Sequence, residues 1–271
     1  MSRRPSPNSP RRIGIMDWGI GGLGFFKLLR QAAPGLGCVY LSDSGAPPYG
    51  TLTIAALTRR VRQAVAWFSA RGVSELVVAC NAASSVLAGV PSREGALERG
   101  APRILGVIEP TVHALLRGPR SSIGIFGGRR TVRSLAYRTP LLRAGFRVQQ
   151  RIAQPLSALV EAGRISGPEV ERLVTHILRP IADCQLLVPA CTHYVALMPL
   201  FQRVAPAARW VDPAALTLAA LLEPSRRERK RVAAEDEFWT TGSPAAFVRG
   251  AALAFELDLP AVRRLRALPE G

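Results

Sequence analysis

The sequence predicts an α/β fold made of two pseudo-symmetric, parallel-sheet α/β domains that face each other across a cleft. Three observations carry the prediction. Short apolar runs alternate with helical patterns along the chain, which is the order of a parallel sheet covered on both faces. Several of those runs end abruptly in glycine or in a polar residue. The whole arrangement then recurs about 110 residues later with the same internal spacing.

The first half reads as follows. Residues 1–12 are a Pro/Ser/Arg tail expected to be disordered. Ile13–Met16 is a strand that runs into Asp17-Trp18-Gly19-Ile20-Gly21-Gly22, where glycine lets the chain turn sharply and bring N–H groups near a ligand. A helical pattern continues through Leu28-Leu29. Cys38–Leu41 is a second strand, followed by the loop Ser42 to Gly50, which contains Pro48-Tyr49-Gly50. Thr58 to Ala70 is an amphipathic helix with Trp67 and Phe68 on its core face. Leu76–Ala79 is a third strand with Cys80-Asn81 at its end, and Ile104–Ile108 is a fourth, followed by Glu109-Pro110.

The second half repeats the first. Ile123-Gly124-Ile125-Phe126 matches Ile13-Gly14-Ile15-Met16 and also runs into glycines, and Leu187–Cys191 matches Leu76–Cys80 at four of five positions. Ile13 lies 67 residues before Cys80, and Ile123 lies 68 before Cys191. Two halves that each place a cysteine where an apolar strand ends indicate a duplicated unit.

Composition narrows the function classes. The chain has 271 residues, is 48% hydrophobic and carries a formal charge of +17, which excludes a disordered chain. Only Lys27 and Lys230 are lysines, so the charge is almost wholly arginine and reads as coding bias. With 6% aromatic residues and no aromatic-basic interleaving, specific nucleic-acid readout is not expected. The run Arg226–Arg231 reads as a solvated face. Four cysteines without a C-x-x-C pair support neither a disulfide scaffold nor that type of zinc site. No signal-like segment and no apolar stretch of 18 residues occurs, so a cytoplasmic protein without membrane contact is expected. Cys38, Cys184, His113 and His176 read as core or surface residues.

Ligands in open α/β sheets bind beyond the carboxyl ends of the strands. Two facing halves would therefore place Cys80 and Cys191 on opposite walls of one cleft. Such a pair suits a single reaction: one thiolate removes a proton from carbon and the opposite thiol returns one to the other face. Each sulfur must then stand about 3–3.5 Å from its reacting atom, which puts the sulfurs roughly 7 Å apart, too far for a disulfide.

The motifs IGIMDWGIGGL, YLSDSGAPPYG, LVVACNAAS, ILGVIEP, IGIFGGRRTVRSLAY, PLSALVEAG, LLVPACTHY and FWTTGSPAAF resemble the glutamate racemases of the cofactor-independent aspartate/glutamate racemase superfamily. The resemblance runs from Ile13 to about Leu268, and it implies a first domain of residues 13–108 plus 213–271 and a second of residues 109–212. It implies interconversion of L- and D-glutamate without a cofactor or metal, for peptidoglycan synthesis. It makes Cys80 and Cys191 the acid/base pair, with Asp17 assisting Cys80, and Glu161 and His193 assisting Cys191. Asn81, Thr192, His193, Thr131 and Asp17 would contact substrate, and Pro48-Tyr49-Gly50 would meet its side-chain end. Two pocket positions depart from the family: Trp18 stands where it usually has Ser, and Ala82 where it usually has Thr. Partial intrusion of the Trp18 indole into the pocket is expected. A racemase acting on another amino acid, or a weak homologue acting as a binding protein, stays open. A homodimer is expected, with a small amino acid as ligand.

Overall fold

The computed structural model describes residues 12–90, 102–223 and 235–269. Residues 1–11 of the expected tail, and the Arg226–Arg231 run, lie outside them. Arg12, placed in the tail by the sequence reading, instead begins the first strand.

The first half runs β1 (Arg12–Asp17), α1 (Leu23–Ala32), β2 (Gly37–Ser42), α2 (Ile54–Ser69), β3 (Glu75–Val78), α3 (Asn81–Ser84) and β4 (Arg103–Gly106). The second runs α4 (Ile108–Arg117), β5 (Ser122–Gly127), α5 (Arg129–Ser134), α6 (Arg138–Arg143), β6 (Arg147–Ile152), α7 (Gln154–Glu161), α8 (Pro168–Leu178), β7 (Leu186–Ala190), α9 (Met198–Val204) and β8 (Arg209–Trp210). The chain closes with α10 (Pro213–Leu222), β9 (Glu237–Thr240), α11 (Pro244–Phe255) and β10 (Val262–Arg264).

The strands form two sheets, ordered β10-β9-β2-β1-β3-β4 and β6-β5-β7-β8, with every pairing parallel. The shared part of the two orders is the same. β1 and β5 are central, β2 and β6 flank them on one side, and β3 and β7 on the other. The repeat read from spacing is thus a repeat of topology. β1 and β7 are buried along nearly their whole length, as strands sandwiched between helices should be.

Local chemistry sets the boundaries. Thr53 caps α2, its hydroxyl accepting from Ala56 N–H at 3.1 Å, and Leu57, Val61, Ala64 and Phe68 recur on the buried face. The expected strand Ile104–Ile108 stops at Gly106, and Ile108 opens α4 instead. Ser84 Oγ accepts from Val107 N–H at 3.1 Å, which turns the chain out of the sheet there. Cys38 and Cys184 are buried in the apolar core, and Trp67 and Phe68 are buried too. Among the described residues, no helix is long and apolar enough to cross a membrane.

Candidate active site

The site lies where β1, β3, β5 and β7 deliver their carboxyl ends. In each sheet the strand order reverses beside the central strand, the place where open α/β sheets bind ligands. A cavity of about 50 Å³, room for a few waters, is enclosed there. Its lining includes Asp17, Trp18, Pro48, Tyr49, Gly50, Cys80, Asn81 and Ala82 from the first half, with Thr131, Cys191, Thr192 and His193 from the second. The structure thus gathers every one of the expected pocket residues around one space. Glu161 does not line it but stands behind His193. Larger hollows of about 580 Å³ along α8 and 460 Å³ beside α4 contain neither Cys80 nor Cys191.

Asp17 ends β1 and is fully buried. It accepts from Trp18 N–H at 2.7 Å and from the Thr192 hydroxyl at 2.8 Å, and it also bonds the Cys80 thiol. Burial raises its pKa, against the opposing influence of His193 and these donors. Cys80 follows β3. Burial pushes its thiol well above the ordinary value, and the Asp17 charge pushes in the same direction, while N–H groups of Ala83 and Ala82 pull the other way. Burial thus favours the protonated thiol at Cys80, with Asp17 beside it.

On the opposite wall, Cys191 follows β7, and its sulfur is 3.8 Å from His193 Nδ1. His193 Nε2 meets Glu161 Oε2 at 2.6 Å. Burial alone would lower the His193 pKa, but Cys191 and Glu161 together raise it well above 6.5. Each thiol thus has its own proton partner, Asp17 for Cys80 and His193 for Cys191. Each lies beyond the third strand of its repeat.

Two details refine the sequence reading. Thr192, expected to contact substrate, gives its hydroxyl hydrogen to Asp17, so towards the cavity it offers lone pairs. Asn81 Oδ1 is taken by the Tyr137 hydroxyl at 2.7 Å, a bond that crosses from α3 to the second half. The Asn81 amide nitrogen is then the part left for a ligand. Tyr137 was not singled out by sequence, although it ends the IGIFGGRRTVRSLAY motif. Gln154 and Ser157 also line the cavity and were missed; no spacing signal marks either.

Trp18 lines the cavity with its ring centroid 6.4 Å from that of His193, and its indole N–H donates to Ala46 O at 2.9 Å. The half-buried indole, for which partial intrusion was expected, forms part of the cavity wall and has its N–H satisfied. Ala82 is buried in the cavity wall and offers no hydroxyl. The Arg130 guanidinium donates to Leu52 O, a further hydrogen bond between the two halves.

Paired thiols on facing parallel sheets define a two-domain α/β isomerase of the racemase type. The comparisons with known proteins narrow this further. No protein-family model matches the chain. The glutamate racemase of Gloeobacter violaceus is 35% identical over 247 residues, covering 88% of this chain and 90% of that protein. That of Aquifex aeolicus is 33% identical over 212 residues, covering 78% and 82%. The crystal structure of glutamate racemase from Thermus thermophilus in complex with beta-chloro-D-alanine superposes with a TM-score of 0.81 at 28% identity, covering 94% of this chain and 97% of that one. The chain belongs to the glutamate racemase family, and its fold is that family's two-domain α/β fold.

Proposed function

We propose that this protein interconverts L- and D-glutamate by two-thiol acid/base chemistry at Cys80 and Cys191, and so supplies D-glutamate for peptidoglycan. The observation that carries the reading is the pairing itself: Cys80 and Cys191 line one cavity from opposite halves, each with an acid/base partner at its side. For one enantiomer, the Cys191 thiolate takes the α-proton while the Cys80 thiol delivers its own to the opposite face. The Cα–H bond breaks towards one sulfur, a new Cα–H bond forms from the other, and the charge on the two sulfurs has exchanged. For the reverse reaction Cys80 must start as the thiolate. Asp17, whose pKa burial raises, is the group that can accept its proton. His193 holds a proton ready for Cys191. Glu161 positions His193 through their 2.6 Å contact. The two cysteines must stay reduced for this chemistry, which fits a cytoplasmic setting.

The Asn81 amide nitrogen supports a role in holding the substrate α-carboxylate. The lone pairs of Thr192 and the Asp17 carboxylate face the place for the ammonium. A second reading, a racemase for a different amino acid, is favoured by one observation: both departures from the family, Trp18 and Ala82, fall in the cavity wall. A panel of single enantiomers incubated with the protein in deuterium oxide separates the two. Loss of optical activity and Cα deuteration with glutamate supports the proposal. The same result with another amino acid alone supports the second reading, and no exchange with any amino acid refutes both.

A further inference from the structure

The cavity must hold both ends of its ligand, and its lining is short of positive charge. Among the described residues, no arginine or lysine lines it, despite 36 of them in the chain. Away from His193, an acidic side chain of the substrate is therefore met by neutral N–H donors. Gln154, the first residue of α7, stands beside the Tyr49-Gly50 loop. A Cβ built on Gly50 would lie 2.5 Å from Gln154 Oε1 and 3.2 Å from its Nε2, so the amide packs directly beside that loop with its oxygen nearest, at the cavity wall.

The orientation of this amide is fixed by its neighbours. The backbone N–H of Arg129 donates to Gln154 Oε1 at 3.0 Å. The Ser157 hydroxyl spends its hydrogen on Gln154 O at 2.8 Å, so its oxygen can only accept from Gln154 Nε2, 3.3 Å away. One N–H of the amide is used on Ser157, and the other remains for the cavity. Asn81 is built the same way at the other end, with its oxygen taken by the Tyr137 hydroxyl and its nitrogen left over. Two amides, each oriented by a donor already bound at its oxygen, present N–H groups from opposite halves of the molecule. A ligand with an acceptor-only group at each end fits that arrangement, and a dicarboxylic amino acid is such a ligand.

We propose that Gln154 is a specificity-determining residue, whose side-chain N–H, held by Arg129 and Ser157, binds the distal carboxylate of the substrate beside the Tyr49-Gly50 loop. The assignment rests on the glutamate reading above and names the group that selects the acidic side chain. Gln154 takes no part in proton transfer. Its removal acts on binding, and its conversion to a carboxylate reverses the preference, because Gln154→Glu repels an anionic end and accepts from a neutral amide end.

The experiment compares wild type, Gln154→Ala and Gln154→Glu with glutamate and glutamine, by optical rotation and by calorimetric titration with D-glutamate. Gln154→Ala should raise KM and Kd for glutamate at least about tenfold, the loss of one hydrogen bond to a charged group, with a smaller change in kcat. Gln154→Glu should weaken glutamate further and move the glutamate-to-glutamine ratio of kcat/KM towards glutamine by at least about tenfold, which a merely structural role would not do. Circular dichroism controls for folding. A folded Gln154→Ala variant with KM and Kd within twofold of wild type, or an unmoved ratio in Gln154→Glu, overturns the role of Gln154 and leaves the glutamate reading standing. A wild type that neither binds nor turns over glutamate overturns both.

Discussion

Replacing Asp43 by asparagine tests how the far wall of the cavity is held. Asp43 follows β2, is fully buried and accepts four side-chain hydrogen bonds. Arg60 gives two of them, Nε to Oδ2 and Nη2 to Oδ1, both at 2.6 Å. The Tyr49 hydroxyl donates to Oδ2 at 2.6 Å and the Thr241 hydroxyl to Oδ1 at 2.8 Å. The carboxylate thus ties the Pro48-Tyr49-Gly50 loop to α2 and to the residue after β9. In Asp43→Asn, one oxygen becomes an N–H group, which cannot accept from the Arg60 N–H it faces and forces the hydroxyl beside it to turn and accept. Breaking a fully buried charge pair costs about 3–5 kcal/mol. The Arg60 side chain is 24% exposed and keeps some water, so a discounted loss of about 2–3 kcal/mol is expected. For a chain of this size that is a drop of roughly 5–10 °C in Tm. Chemical denaturation followed by circular dichroism measures it. Because Tyr49 lines the cavity, KM for the substrate should rise more than kcat falls. Adding Tyr49→Phe removes a hydroxyl that the asparagine forces to rearrange, and its effect should not simply add to that of Asp43→Asn. A loss below about 0.5 kcal/mol, the size of an ordinary surface substitution, would refute the anchoring role.

Gly21→Ala should lower kcat by about a hundredfold, the effect of a misplacement near 1 Å, with the fold intact by circular dichroism. Its Cβ would come within 2.3 Å of Thr192 Oγ1, 2.7 Å of His193 Nδ1 and 2.8 Å of Asp17 Oδ2, and these groups would have to move. Trp18→Ser combined with Ala82→Thr should raise kcat/KM for glutamate at least several-fold, since both residues narrow or depolarise the wall; steady-state kinetics showing no rise would clear them of limiting the reaction. The native state binds the His193 proton more tightly than the unfolded chain does, because its pKa lies above 6.5. The stability of wild type over His193→Gln should therefore be fully present below about pH 6.5 and be lost as pH rises through the native value. Denaturation curves across that range check it, and a difference that grows with pH contradicts the assignment.

What the sequence disclosed follows from where its signal was strong. The central strands β1, β3, β5 and β7 are short apolar runs with abrupt ends, so their positions and the repeat could be read directly. The edge strand β6, Arg-Val-Gln-Gln-Arg-Ile, is mostly exposed and shows no buried run to find. The strands β9 and β10 reach the first sheet from the far end of the chain, and β9 adds only four residues to it. The end of β4 was misread because Val107-Ile108 continues its apolar run, while a hydrogen bond to Ser84 starts a helix. In the site, cysteines and acidic residues at strand ends announced themselves. Tyr137 and Gln154 did not, because each is one polar residue on or beside a helix whose partner lies 56 or 25 positions away. Thr192 was legible as a pocket residue, but the direction of its hydroxyl depends on Asp17, 175 positions distant.

The central claim is that Cys80 and Cys191 work from opposite faces of one carbon, and single cysteine variants test it most directly. Wild type, Cys80→Ala and Cys191→Ala are incubated separately with L- and D-glutamate in deuterium oxide, with optical rotation and Cα deuteration followed together. Inversion needs a base on one face and an acid on the other. The account predicts that wild type racemises both enantiomers with deuterium incorporated at Cα. Each variant, although folded, should racemise neither enantiomer. Full racemisation by either single variant would contradict the two-thiol mechanism.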